Sequence, residues 1–194
     1  MPSSFKVSAL LGSLRHGSYS KRLALTLGEV APPGMTVEIL ELGDLPIFNE
    51  DLETDTPPPS WVRFRQSIRS SDALLFITPE YNRSIPAVLK NAIDVGSSPF
   101  GQSVWDNKPG AIVSFSIGAM GGFGANHHLR QALVFTNVPV MSQPEAYIGG
   151  VDTLFDGDGD MPDGAARTFL RQFMAAFLTW TATHTAGTGD RAAS

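Results

Sequence analysis

The chain contains no cysteine, which excludes disulfides, thiolate catalysis and cysteine-ligated zinc or iron–sulfur clusters. Any redox chemistry here needs a bound organic cofactor to hold the electrons. No uninterrupted apolar run reaches the roughly eighteen residues that cross a bilayer. Met1 to Phe5 also lacks the charged start and apolar stretch of a secretory signal, so no membrane partner is expected and the cytoplasm is the expected location. Basic residues are few, 14 Lys and Arg against 19 Asp and Glu for a net charge of −5. They form no stripe, so no nucleic-acid partner is expected.

What is present is ordinary globular material: 42% hydrophobic and 17% charged residues in 194, enough for one large core and one domain. That domain is expected over 1–183, with the small, polar stretch 184–194 as a flexible tail. Short β-branched or apolar runs (Phe5 to Leu11, Thr36 to Leu40, Ala73 to Thr78, Ala111 to Phe115, Glu145 to Ile148) read as strands. They alternate with stretches of helical spacing at Ser18 to Val30, Ser60 to Ser70, Pro86 to Val95, Gly122 to Phe135 and Gly164 to Thr183. Near-continuous apolar strands such as Ala73 to Ile77 indicate burial on both faces, as in a parallel sheet covered by crossover helices. An α/β doubly wound sheet of five parallel strands in order 2-1-3-4-5 follows, with ligands at the switch point between the first and third strands. The proline-rich stretch Glu50 to Pro59 reads as an extended surface loop.

Three loops after strands carry chemistry. Gly12-Ser13-Leu14-Arg15-His16-Gly17-Ser18-Tyr19-Ser20-Lys21 leads into a helix whose free N–H groups and dipole favour an anion. Its glycines are spaced as in a P-loop, but Ser18 stands where that loop needs lysine, and no G-x-G-x-x-G is present. The hydroxyls of Ser13, Ser18 and Ser20 with the Arg15 guanidinium suit a terminal phosphate monoester; the bland alternative is that the serines cap the helix. The second loop, Thr78-Pro79-Glu80-Tyr81-Asn82-Arg83-Ser84-Ile85-Pro86, is stiffened by two prolines. It can present backbone amides and a ring to a flat ligand, or be an ordinary turn. In the third, Ser116 to Gly122, small residues let backbone N–H groups approach something electron-rich, or simply permit a turn.

Together the segments GSLRHGSYS, PEYNRSIPAVLKNAIDV and SIGAMGG resemble the NADPH-dependent FMN reductase family, in particular its quinone-, chromate- and azo-compound-reducing members, over about Lys6 to Phe177. The resemblance implies a flavodoxin-like fold, FMN as cofactor, NADPH or NADH as electron donor, and quinones or other small molecules as electron acceptors. It implies that Ser13, Arg15, Ser18 and Ser20 hold the FMN phosphate, that Pro79, Glu80, Tyr81 and Asn82 line the isoalloxazine ring, and that Ser116, Gly118, Gly121 and Gly122 lie at its pyrimidine end. No separate catalytic side chain is expected, because hydride can pass directly between stacked rings. The chain departs from the family pattern at Ser20 (Asn), Ile117 (Pro), Ala87 (Gly) and Val95 (Trp). Members that form tetramers pair Arg and Tyr with Glu; Glu145 matches, but Gly124 and His127 occupy the other two positions, so a tetramer of that kind is not expected.

Three rival functions remain open from sequence: a flavodoxin-type electron carrier, a reductase that supplies reduced FMN to a partner monooxygenase, and a non-catalytic regulator that only senses flavin state. No metal is expected. His127 and His128 are adjacent and about 100° apart on a helix, and the run Asp156 to Asp160 lacks the glycine and glutamate of a calcium loop. Phe100, Val104 and Trp105 follow the helix at Pro86 to Val95 in a segment rich in Gly, Ser and Pro. Left exposed, they would form an apolar patch suited to a homodimer interface, with fold-back onto their own domain as the alternative.

Overall fold

A computed structural model describes residues 4–186. Five parallel strands, β1 (Phe5–Leu11), β2 (Met35–Ile39), β3 (Ala73–Pro79), β4 (Gly110–Phe115) and β5 (Ala146–Ile148), lie in the order β2-β1-β3-β4-β5. They alternate with α1 (Tyr19–Glu29), α2 (Pro59–Arg69), α3 (Ala87–Ser97), α4 (Phe123–Phe135) and α5 (Ala165–Ala186). This is the flavodoxin-like, doubly wound arrangement that the βα rhythm predicts.

The pleat sends alternate strand residues to opposite layers. Val7, Ala9 and Leu11 of β1 join Leu23 and Leu27 of α1 and Phe173 and Phe177 of α5. Leu10 joins Trp61 and Phe64 of α2, Leu89 and Ile93 of α3, and Leu129 and Leu133 of α4. Both faces of the sheet are covered at its centre, so β1, β3 and β4 lack the polar alternation of a half-exposed sheet, whereas edge strand β2 exposes Thr36 and Glu38. β1 pairs with β2 on one side and with β3 on the other. The connections therefore leave in opposite directions, and the C-terminal ends of β1 and β3 part to open a crevice.

Three expectations change. Helix α5 continues to Ala186, past the expected boundary at 183, and in its last turn the Thr183 and Thr185 hydroxyls and His184 bond to carbonyls one turn back; the remaining tail, 187–194, lies outside the described residues. The stretch Glu50 to Pro59 is not a free loop. Glu50–Leu52 form a single 3₁₀ turn, and Glu53 closes a bidentate pair with buried Arg65 (2.9 and 2.5 Å) while accepting from Ser98 Oγ at 2.8 Å. Arg65 hydrogen-bonds Glu53, and despite the opposing cost of burial this holds the Glu53 carboxyl below its ordinary range. Finally, Val104 and Trp105 fold back into their own core. Trp105 is fully buried, donates Nε1–H to Ile93 O at 2.9 Å, and lies so close to Gly96 that a Cβ there would sit 2.4 Å from its ring. Val95 is likewise buried, so the family's Trp position belongs to this core; of the expected interface trio Phe100 alone is exposed.

Candidate active site

The ends of β1, β3 and β4 enclose a cleft of about 210 Å³ lined by Ser13, Arg15, Ser18, Tyr19, Pro79, Glu80, Tyr81, Phe115, Ser116, Ile117 and Val151. Seven of these are residues expected from the sequence, drawn from three loops that are far apart along the chain. The cleft is polar at one end and apolar at the other.

The polar end is built on the start of α1. Ser18 is the N-cap, and its Oγ accepts the backbone N–H of Lys21 at 3.2 Å. The capping reading is thus correct, and it coexists with a cleft-facing hydroxyl that has lone-pair capacity left. Arg15 is exposed, and among the described residues no carboxylate pairs with its guanidinium. Capping gives such a side chain no role, whereas a phosphate does. Gly12 is required for a different reason: a Cβ there would lie 2.7 Å from Pro79 Cδ, so the first loop packs tightly against the end of β3. Ser20 stands apart. It is wholly buried on α1, its hydroxyl has no partner, and it does not line the cleft.

The apolar end is set by the second loop. Tyr81 and Ser84 bond each other's backbones at 2.9 and 3.0 Å, closing a two-residue hairpin with Asn82 and Arg83 at φ of 52° and 65°. Asn82 is therefore the turn-forming residue and lies outside the cleft lining, while Tyr81 presents a half-exposed ring to it. Glu80 has a job the sequence did not disclose. Its partly buried carboxylate accepts the N–H of Ala125 at 3.1 Å, capping α4, whose own N-cap is Gly122 and carries no side chain.

In the third loop Ser116 and Ile117 line the cleft, and Ile117, at the family's Pro position, is exposed. The glycines support the loop from behind. The Gly118 carbonyl accepts Ser116 Oγ at 2.8 Å and Gly150 N–H at 3.3 Å. Gly121 and Gly122 are buried with φ of 58° and 74°, and a Cβ on Gly121 would lie 2.5 Å from the backbone of Tyr147. Beneath them, buried Ser114 donates to Gly121 O at 2.8 Å and accepts from Asn126 Nδ2 at 3.2 Å. Residues missed from sequence are Tyr19, Phe115 and Val151 in the lining and Ser114 and Asn126 below. Of these, Tyr19, next to the N-cap, had a positional signal.

Outside the cleft, the two adjacent histidines diverge: His127 Nε2 meets Tyr147 Oη at 3.0 Å and His128 Nδ1 meets Ser84 Oγ at 2.7 Å. Burial pushes the Tyr147 phenol up to about 12, with the neighbouring Glu145 carboxylate adding to the shift. Glu145 itself approaches Arg130 within this chain, at 3.9 Å.

The profile of the NADPH-dependent FMN reductase family matches residues 5–153. A quinone reductase from Pseudomonas putida is 54% identical over 176 residues, covering 91% of this chain and 94% of that protein. A 2-hydroxy-1,4-benzoquinone reductase from Burkholderia sp. is 41% identical over 175 residues, covering 90% and 95%. Among solved structures, the flavoenzyme NAD(P)H:(acceptor) oxidoreductase FerB from Paracoccus denitrificans superposes with a TM-score of 0.87 at 39% identity, covering 93% of this chain and 98% of that one. A cleft lined by an unpaired guanidinium at a helix N-terminus and by a tyrosine ring, in a chain with these relatives along nearly its whole length, has one reading: the chain belongs to the NADPH-dependent FMN reductase family.

Proposed function

We propose that this NAD(P)H-dependent FMN oxidoreductase delivers its electrons to quinones, and that the 210 Å³ cleft is where FMN binds. The observation that carries this reading is the polarity of the cleft: Arg15, Ser13 and Ser18 at one end, Tyr81, Pro79 and Ile117 at the other. A phosphate monoester fits the first end and a flat ring system fits the second. When bound, FMN supplies the two-electron chemistry, taking reducing equivalents from nicotinamide and returning them to the acceptor. The chain's own groups position and enclose. Arg15 and the hydroxyls orient the phosphate, Tyr81 and Pro79 wall the ring, and Ser116, whose N–H and hydroxyl bond to Ile148 O and Gly118 O, holds the third loop in place beside them. Ser20 is left out of the phosphate contacts because its hydroxyl is buried away from the cleft.

Titrating apoprotein with FMN and FAD tests the cofactor, and Arg15→Ala should weaken FMN binding about 10- to 150-fold, the loss of one charged hydrogen bond. Equal affinity for both flavins, or an unaffected variant, would refute the site. Rates of NAD(P)H oxidation with quinones, azo dyes, chromate and free FMN then rank the acceptors; free FMN as the best would favour the flavin-supplying alternative over quinone reduction. Dependence on NAD(P)H, which a one-electron carrier does not consume, is a family property and speaks against the carrier reading; the same donor pool makes the cytoplasm the proposed location. We also infer a homodimer, with exposed Phe100 and, at the end of α4, Val134 and Phe135 as the apolar groups a second copy would cover. Sedimentation equilibrium decides it: a stable micromolar monomer with full activity would overturn the dimer.

A further inference from the structure

The phosphate loop has a second side. Between it and the end of β2 lies another cavity, of about 450 Å³, and Ser13, Arg15 and Ser18 line both this space and the flavin cleft. His16, Lys21 and Glu41 line only the second. Leu40 and Leu42 contribute apolar wall.

The charge arrangement here conflicts with the helix beside it. Lys21 is the third residue of α1, where the positive end of the dipole disfavours a cation, and no acidic residue occupies that first turn. Among the described residues, neither Lys21 Nζ nor the His16 ring has a hydrogen-bond or ion-pair partner, and Arg15 adds a second cationic side chain. One flavin phosphate in the neighbouring cleft accounts for Arg15, but not for groups that face only the second cavity. Glu41 stands two residues past β2. Its Oε1 accepts Gly43 N–H at 3.3 Å, which leaves the second oxygen free to accept from a hydroxyl. In Rossmann dinucleotide sites an acidic residue after the second strand engages a ribose; this chain lacks the glycine fingerprint of those sites, and Glu41 offers the same acceptor on its own.

A phosphate site, an acceptor for sugar hydroxyls and an apolar wall in one space describe an adenosine phosphate. We propose that this cavity holds the adenosine-phosphate half of NAD(P)H, with Lys21 and His16 on a phosphate and Glu41 on a ribose hydroxyl. The flavin cleft that it adjoins would then receive the nicotinamide end. The proposal rests on the reading of that cleft as the FMN site.

Calorimetric titration of the FMN-loaded protein with ADP-ribose, alongside titration of apoprotein with FMN, tests it. Lys21→Glu should weaken ADP-ribose binding at least about tenfold, as expected for losing a charged contact. FMN affinity should stay within about twofold, and Lys21→Arg should retain most ADP-ribose binding. Loss of FMN in parallel would assign Lys21 to the flavin phosphate and overturn the proposal. Unchanged affinity for both ligands would show an ordinary solvated lysine and overturn it too. If wild-type apoprotein instead ignored FMN yet bound ADP-ribose in a Lys21-dependent way, the flavin reading would fall while the second site stood.

Discussion

Removing the Glu80 carboxylate should destabilise the fold through a helix that lies 45 residues further along the chain. Glu80→Ala deletes the acceptor for Ala125 N–H at the start of α4, where Gly122 supplies no side-chain cap. Loss of a cap costs about 0.5–2 kcal/mol, and loss of a partly buried anion from the positive end of a helix adds about 0.3–1 kcal/mol. The 3.4 Å contact with Arg83, whose side chain is 83% exposed, adds nothing measurable. About 2 kcal/mol in all is expected, or roughly 4–8 °C in Tm for a chain of this size. Glu80→Gln separates the two causes, because its amide oxygen can still accept while the charge is gone; it should lose only about 0.5–1 kcal/mol. Urea unfolding of the three proteins gives these differences directly. A Glu80→Gln variant as damaged as Glu80→Ala would refute the capping account, and so would an Ala variant within about 0.5 kcal/mol of wild type.

Gly121→Ala should cost more than about 3 kcal/mol, since its Cβ would meet the backbone of β5 at 2.5 Å with φ at +58° and neither side can yield cheaply. Gly17→Ala, where nothing lies within 4 Å, should be neutral or stabilising by up to about 1 kcal/mol; similar unfolding midpoints for the two would contradict both. Arg83→Gly should stabilise by about 0.5–1 kcal/mol, because Arg83 sits at φ 65° in the hairpin, a conformation that strains any side chain; a loss of stability in urea would show the strain to be absent. Alkaline spectrophotometric titration should find the Tyr147 phenol ionising near 12. Because its pKa is raised on folding, its contribution is complete below the unfolded value of about 10. That contribution is lost as pH climbs from there toward 12, a decline that Tyr147→Phe should lack.

What could be read from the sequence is what local periodicity encodes. β1 has the bounds Phe5–Leu11 that its apolar run predicts, and the strand order follows from the βα rhythm and the crossover rule. Trp105 could not be placed this way. Its segment has a loop's composition, and only the approach of Gly96, nine residues earlier on a helix, turns an apparent surface aromatic into core. Glu53 escaped for a related reason: a carboxylate in a proline-rich loop looks solvated until α2 brings Arg65 beneath it. Ser20 was grouped with Ser18 because both carry hydroxyls beside a phosphate loop. Ser18, however, is the extended N-cap outside the helix and lines the cleft, whereas Ser20 lies within α1 with its hydroxyl buried in the protein.

The twelve residues singled out by motif therefore divide by the direction in which they act. Ser13, Arg15, Ser18, Tyr81 and Ser116 line the cleft, whereas Asn82, Gly121 and Gly122 shape the backbone of the loops around it. Glu80 does both, lining the cleft while its carboxylate ties the second loop to α4. Gly118 couples the third loop to the 3₁₀ turn at Val151–Thr153 through Gly150 N–H, and Gly12 lets the first loop seat against Pro79. A flat ligand held between separate loops needs their spacing fixed to within a fraction of an ångström. A motif that recurs for function will contain braces as well as contacts, and residue type alone does not tell them apart. Substitution does: a change at a brace such as Gly121 should lower stability with or without flavin, whereas a change at Arg15 should leave the apoprotein as stable as before and remove only the stabilisation that bound FMN confers.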